Sequence, residues 1–380
     1  MSPISIHLGA SPPGASPRTY CDGRVELQSS SAPAPTFDLL LEALKGNVTG
    51  NVLVLGMSQW TQTVLALALE GLHPDASVEL FSFEAFEQHR VGRTFRRHDS
   101  SVACLVGADL PAEERHDWVV LSIPRQSDKG VIGETLRQAW SCLRSRGKIV
   151  LAVDNPKDRW VRKQLDELFG ATTIASRNYA GVAYIARKQS GSRIRQRRYG
   201  RRFETSLFGV DLELETRPGI FSHGELDEGT LALSEIADIQ PDHRIVDLGC
   251  GSGAIGIAAA LHSIWCRVVM VDSSLRAVEI ARRNVLHNAV ERNALVLPGF
   301  DLGAMRPGTV DRVLANPPYF GSFRISKLFV RESARVLKPG GELYLVTRAP
   351  DEHCLMLEED FGDGELVERR GYTVFRVVKS

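Results

Sequence analysis

Ile245-Val246-Asp247-Leu248-Gly249-Cys250-Gly251-Ser252-Gly253 reads as a short apolar strand running into a glycine-rich turn, and residues 254–261 continue it as an apolar helix. Glycines at alternate positions let the backbone turn sharply and approach a ligand closely. The helix that follows adds its N-terminal N–H groups and the positive end of its dipole. The spacing is Asp-x-Gly-x-Gly-x-Gly rather than the GxGxxG of dinucleotide folds, and it puts an acid inside the strand end. The Asp247 carboxylate is therefore expected to meet a cationic ligand amine. A second strand, residues 267–271, ends in Asp272, and an acid at that place suits a ribose diol. Cys250, inside the loop, has the look of a nucleophile but is read as a small residue tolerated in a tight turn.

About seventy residues downstream, an apolar run at 310–315 ends in Asn316-Pro317-Pro318-Tyr319. The Asn316 side-chain oxygen and the Pro317 carbonyl are two acceptors at fixed spacing. The prolines have locked φ and no competing N–H, so the acceptors stay in place. Tyr319 adds a flat stacking face. Such a turn can hold a planar group that bears an NH2, either an exocyclic base amine or a carboxamide.

From residue 36 to 187 short apolar strands alternate with amphipathic helices, and after about Phe203 the rhythm starts again. Strands are predicted at 51–55, 78–81, 102–106, 118–123 and 148–153, with helices such as 61–69 and 132–143 between them. This is a βαβ pattern and implies a parallel sheet. The halves look like copies. Ile245 lies 193 positions after Val52, Asp311 lies 194 after Asp117, and Leu337 lies 194 after Leu143. A shared βαβ rhythm explains the strands but not the common offset. The first copy has lost the chemistry: Val54-x-Gly56-x-Ser58-x-Trp60 replaces the glycine loop, and Ser122-Ile123-Pro124-Arg125 replaces the Asn-Pro-Pro turn. Trp60 is expected to fill the space a ligand needs.

The glycine loop, Asp272 and Asn316 to Tyr319 together resemble the motifs of amino-methylating, class I S-adenosylmethionine-dependent methyltransferases. A degenerate copy followed by a copy with Asn-Pro-Pro-aromatic is similar to the bacterial ribosomal RNA guanine-N2 methyltransferases of the RsmC/RlmG type. Pro218-Gly219-Ile220-Phe221-Ser222, followed by Leu226-Asp227-Glu228-Gly229-Thr230, resembles that family's segment over the cofactor pocket. The resemblance implies an α/β chain of two tandem Rossmann-like class I methyltransferase domains, with seven-stranded, mostly parallel sheets and the first domain degenerate. It implies S-adenosylmethionine as cofactor, held by Asp247, Gly249, Gly251, Gly253, Asp272, Asp301, Phe221 and Asp227. It gives Asn316, Pro317, Pro318 and Tyr319 the catalytic role on a guanine N2 amine of ribosomal RNA. Read without the family, Phe221 is equally a packing residue and Asp227 equally a helix N-cap. The family usually carries Phe where this chain has Tyr319, and Tyr is common in methyltransferases of protein glutamine and of DNA adenine. A release-factor glutamine, a DNA adenine and a non-catalytic RNA-binding assembly factor therefore stay open as alternatives.

The expected layout is a disordered Ser/Pro-rich tail at 1–35, the degenerate domain at 36–188, an Arg-rich linker at 189–202 and the catalytic domain at 203–380. Eight of the sixteen residues from 187 to 202 are basic and none is acidic. In a chain of zero net charge this concentrates positive charge in one place, and Arg195, Arg197, Arg198, Arg201 and Arg202 are candidates for phosphate contacts. A solvated tether is the plain alternative. The hydrophobic content of 43% and charged content of 24% suit a globular chain. Six scattered cysteines without a CxxC pair suggest neither metal nor disulfides. No apolar run is long enough to span a membrane and the N-terminus lacks signal-peptide character, so a cytoplasmic protein is expected. The resemblance implies ribosomal RNA or a ribosomal subunit as partner, and a monomer is expected.

Overall fold

Val52 and Val54 enter one apolar cluster and Leu53 and Leu55 another, so the strand that carries them is covered on both faces. That strand, β4 (Gly50–Gly56), sits in the middle of the first of two compact units, Met1–Arg198 and Tyr199–Ser380. A computed structural model describes residues 3–8, 17–29, 32–56, 59–195, 197–318, 323–362 and 364–380.

The first unit runs β1 (Ile4–Leu8), β2 (Arg18–Tyr20), β3 (Val25–Ser29), α1 (Thr36–Ala43), β4, α2 (Gln59–Leu72), β5 (Ala76–Ser82), α3 (Ala85–Arg97), β6 (Ala103–Val106), β7 (His116–Ile123), α4 (Lys129–Cys142), β8 (Leu143–Val153), α5 (Trp160–Phe169), β9 (Thr172–Arg177) and β10 (Val182–Arg187). The second runs β11 (Arg201–Leu207), β12 (Val210–Thr216), α6 (Glu228–Ile236), β13 (Arg244–Leu248), α7 (Ala254–His262), β14 (Arg267–Asp272), α8 (Leu275–His287), β15 (Ala294–Pro298), β16 (Val310–Ala315), α9 (Arg324–Val336), β17 (Leu337–Thr347), α10 (Pro350–Asp360), β18 (Gly364–Arg369) and β19 (Tyr372–Val378).

Among the described residues each unit holds one seven-stranded sheet. The orders are β6-β5-β4-β7-β8-β10-β9 and β15-β14-β13-β16-β17-β19-β18. Each is parallel except for the strand at its sixth place, which pairs antiparallel with both neighbours. The two orders are the same when each unit is numbered from its own first sheet strand. The order reverses beside β13, which lies between β14 and β16, and the crevice at the carboxyl ends there is where open α/β sheets bind ligands.

The repetition extends to side chains. Asp117 at the start of β7 accepts from the Asn51 amide at 2.8 Å and pairs with Arg144 at 2.9 Å. Asp311 at the start of β16 accepts from the Arg244 amide at 2.8 Å and pairs with Lys338. These acids tie the first strand of each sheet to the fourth and to the start of the fifth.

Two expectations are corrected. Residues 1–35 are expected as a disordered tail, but their described part forms a three-stranded sheet of order β1-β3-β2. Ile6, Leu8, Val25 and Leu27 are buried in the first unit's core, and Ile4 lies against Gly71 of α2, where even a Cβ would collide with it. The Ser/Pro-rich composition hid two short alternating runs, Ile4-x-Ile6-x-Leu8 and Val25-x-Leu27, whose apolar faces need a cover. The stretch 189–202 is likewise more than a connector. Just before it, the buried Lys188 donates to Glu114 and to the Leu143 carbonyl and lies over the Trp140 ring. Ile194 packs on the first unit's core, and Arg137 donates to the Arg195 carbonyl. Arg201 and Arg202 open β11, which forms a hairpin with β12.

Candidate active site

Strand alternation sends Ile245 and Asp247 of β13 to the side of α7, and Val246 and Leu248 to the other face. Asp247 is 1% exposed, and its Oδ2 accepts from the Gly256 amide at 2.8 Å. Burial raises its pKa to about 7 against that hydrogen bond, and the nearby Asp272 pushes the same way. Asp247 thus serves the loop from beneath by pinning the first turn of α7.

The loop above it needs glycine for two different reasons. Gly253, the N-cap of α7, has φ +86°, and a Cβ there would meet Ile257, Ala281 and Met270 at 3.1–3.3 Å. Gly251 has φ +55°, and a Cβ there would meet nothing within 4 Å. One glycine is required by packing, and the other faces open space. Gly249 lies against the Phe329 ring of α9. Asp272, at the end of β14, accepts from the Gly251 amide with Oδ2 and from the Ser274 amide with Oδ1, both at 2.8 Å. Burial raises its pKa as well. Cys250 is buried beside these two acids, and burial raises its thiol pKa well above the usual value, so it stays an unreactive thiol.

Leu248 of β13 and Ala315 of β16 are register partners, so the glycine loop and Asn316 leave neighbouring strands at the same level. The Asn316 Nδ2 donates to Asp227 Oδ1 at 3.3 Å, Asp227 Oδ2 at 3.1 Å and Thr230 Oγ1 at 3.1 Å. Asp227 is also the N-cap of α6, accepting from the Thr230 amide at 3.1 Å. Pro317 is buried and Pro318 exposed. Tyr319 lies outside the described residues, as does Ser58 in the first unit.

The remaining expected residues fall as follows. Phe221 is 47% exposed, and the neighbouring Ile220 packs on Ala277 and Ile280 of α8, so the segment 218–222 lies along the helix that follows Asp272. Asp301 follows β15, whose last residue Pro298 pairs with Asp272, and its carboxylate accepts from the Gly303 amide. Arg195, Arg197, Arg198, Arg201 and Arg202 are all exposed. Arg202 lies 3.8 Å from Glu213 and 3.7 Å from Glu215, which answer part of its charge. In the first unit Ser82 ends β5 where Asp272 ends β14, and Trp60 packs against the core beside its loop.

Sequence reading missed three supports. Thr230 holds the Asn316 amide. Asn284, buried on α8, donates to the Ser252 carbonyl of the loop and exchanges hydrogen bonds with Glu215. Arg276 is buried and donates to the Pro218 carbonyl at 3.5 Å. A polar residue on the buried stripe of a helix was the available signal for the last two.

The Methyltransferase small domain family matches residues 211–376. The ribosomal RNA small subunit methyltransferase C of Stutzerimonas stutzeri is 26% identical over 311 residues, covering 80% of this chain and 90% of that protein. The Hahella chejuensis protein of the same name is 31% identical over 250 residues, covering 62% of this chain and 70% of that protein. The chain belongs to the ribosomal RNA small subunit methyltransferase C family. The solved T. thermophilus 16S rRNA N2 G1207 methyltransferase (RsmC), in complex with AdoMet and guanosine, covers 96% of this chain at TM-score 0.76 and 23% identity, and the match covers 98% of that structure. Its likeness is one of fold: the tandem class I architecture runs through both units. In this member of the methyltransferase C family, the glycine loop, Asp272 and Asn316 all stand on the second unit. Among the described residues no helix is long and apolar enough to cross a membrane, and no cluster of His, Cys, Asp and Glu could hold a metal ion.

Proposed function

We propose that this chain transfers the methyl group of S-adenosylmethionine to the exocyclic N2 amine of a guanine in small-subunit ribosomal RNA. The observation that carries the reading is the alignment of Leu248 with Ala315, which sets a ligand loop and an amine clamp side by side at the sheet's switch point. The residues fit the cofactor. Gly251 leaves open space above the loop, Asp272 stands at its rim, and the loop leads into the N-terminus of α7.

S-adenosylmethionine, when bound, supplies a methyl already activated by its sulfonium, so the protein mainly positions the reactants. The guanine amine is a weak nucleophile because its lone pair is delocalised into the ring. Asn316 Oδ1 and the Pro317 carbonyl accept its two N–H bonds and aim the lone pair at the methyl carbon. With the cofactor held at the glycine loop and Asp272, its methyl would pass to the amine held by Asn316 and Pro317, the C–S electron pair would stay with sulfur as the N–C bond formed, and the amine proton would leave to water afterwards. Tyr319 is assigned the stacking face for a base turned out of the RNA. Asp272 holds the ribose, while Phe221 and Asp301 border the adenine. Asp247 and the glycines shape the loop. The exposed arginines at 195–202 supply backbone affinity, and the first unit is a non-catalytic copy. The reading includes a cytoplasmic monomer.

Nucleoside mass spectrometry of ribosomal RNA from cells with and without the protein tests this directly. N2-methylguanosine should fall by one residue per small subunit when the protein is absent. Unchanged N2-methylguanosine, or loss of a methylated glutamine or adenine instead, overturns it.

A further inference from the structure

We propose that Asp227 is a positioning residue: its carboxylate, with Thr230, holds the Asn316 amide so that Oδ1 faces the substrate amine. The inference rests on the reading of Asn316 as the amine clamp. An ionised carboxylate only accepts hydrogen bonds, so the group facing it must be the NH2 of the amide. Three acceptor atoms from α6 converge on that NH2 at 3.1–3.3 Å. The flipped amide would set its oxygen against the carboxylate and turn an NH2 toward another NH2, which cannot hydrogen-bond. The clamp depends on which end of one amide faces outward, and Asp227 decides it.

Asp227 is itself held in place. It caps α6, and α6 is tied by Glu228 and Glu235 to Arg370 of the β18–β19 turn, both at 2.7 Å. Capping alone does not call for a charge, since Ser or Asn caps as well as Asp. The first unit supplies the comparison. Thr36 lies 194 positions before Thr230, and Ser122 lies 194 before Asn316. Their hydroxyls still meet, at 2.7 Å in a buried place. The residue 194 before Asp227 is Pro33. The copy that lost the amide lost the carboxylate too, and kept the hydroxyl contact that packing uses.

The test is a swap in the full-length protein. Asp227→Asn should leave melting temperature at the parent value, because Asn still caps α6, and cofactor affinity too, because the carboxylate is engaged by the Asn316 amide rather than by the cofactor that the resemblance gave it. Its kcat should fall on the order of 100-fold, the scale of a misplaced reacting group. Asn316→Asp should also lose turnover, through two facing carboxylates. Combining Asp227→Asn with Asn316→Asp restores a donor facing an acceptor and leaves an outward oxygen, and should recover about tenfold over the worse single variant. Full kcat in Asp227→Asn, a loss seen in cofactor affinity instead, or a double variant no better than the worse single one overturns the proposal. If Asp227→Asn does not fold, Asp227→Ser keeps a capping oxygen without the carboxylate and is read the same way. Side-chain amide NMR of Asn316 reads the clamp with no substrate present: its resonances should shift in the Asp227 variant, and an unmoved pair overturns the proposal. An inactive parent protein would sink the substrate reading alone.

Discussion

Asp272 Oδ2 accepts the Gly251 amide at 2.8 Å, so the acid at the end of the second sheet strand holds the middle of the glycine loop. One carboxylate therefore shapes the loop and, under the proposed function, holds the ribose as well. Asp272→Ala removes both, and should weaken S-adenosylmethionine binding by about 1.5–3 kcal/mol, the range for a hydrogen bond to a charged group. Asp272→Asn keeps an oxygen for the Gly251 amide and should lose less. Titration calorimetry on the full chain measures both. Equal affinity in parent and Asp272→Ala would refute the assignment.

Asn316→Ala should separate chemistry from binding. It removes the acceptor proposed to fix the amine and leaves the glycine loop intact, so most methyl transfer should disappear at unchanged cofactor affinity. Single-turnover assays with saturating RNA decide it; a variant with parent turnover would exclude Asn316 from the clamp.

The buried Asp247 carboxyl predicts a pH effect of definite sign. In the folded chain it holds a proton up to about pH 7, whereas an unfolded Asp releases its proton near pH 4. The folded state binds more protons between those values, so the contribution is fully present below about pH 4 and is lost as pH rises through about 7. The shift at Asp272 is in the same direction. Asp247→Asn cannot ionise and still accepts from Gly256. Its melting temperature should fall less than the parent's as pH is raised from 4 to 8, and parallel curves would contradict the burial argument.

Replacing Arg195, Arg197, Arg198, Arg201 and Arg202 by Gln should weaken RNA binding and flatten its salt dependence. The slope of log K against log salt should drop by roughly 0.7 to 0.9 for each phosphate contact removed. Arg202 already lies near Glu213 and Glu215, so the change at 202 should contribute least. Filter binding over a salt series checks this. A parent-like slope would mean that these arginines serve only as a solvated tether.

The parts legible in the sequence are those written locally. The glycine loop, Asp272 and Asn316 each sit at a strand end, where periodicity and turn chemistry locate them without knowledge of the fold. The duplication was legible because three blocks share an offset. What escaped depends on distant pairing. Thr230 reaches Asn316 across 86 residues, and no local pattern marks that contact. The first strands pair in parallel, β1 with β3, across a polar stretch whose composition argues against structure. Asp247 is a further case: alternation with Ile245 puts it on the α7 side, and only the fold shows that it accepts from the Gly256 amide.

Asp117 and Asp311 do the same work in both units, while Asp227 and Asn316 have counterparts, Pro33 and Ser122, that cannot do theirs. The chain thus contains its own control. Asp117 and Asp311 agree because both sheets need the same tie, and the Asp227–Asn316 pair is confined to the unit that carries the proposed reaction; Asp247, replaced by Val54 in the first unit, shows that a second-unit acid can also serve the architecture. Variants at Asp117 or Asp311 should therefore cost stability, and variants at Asp227 or Asn316 turnover.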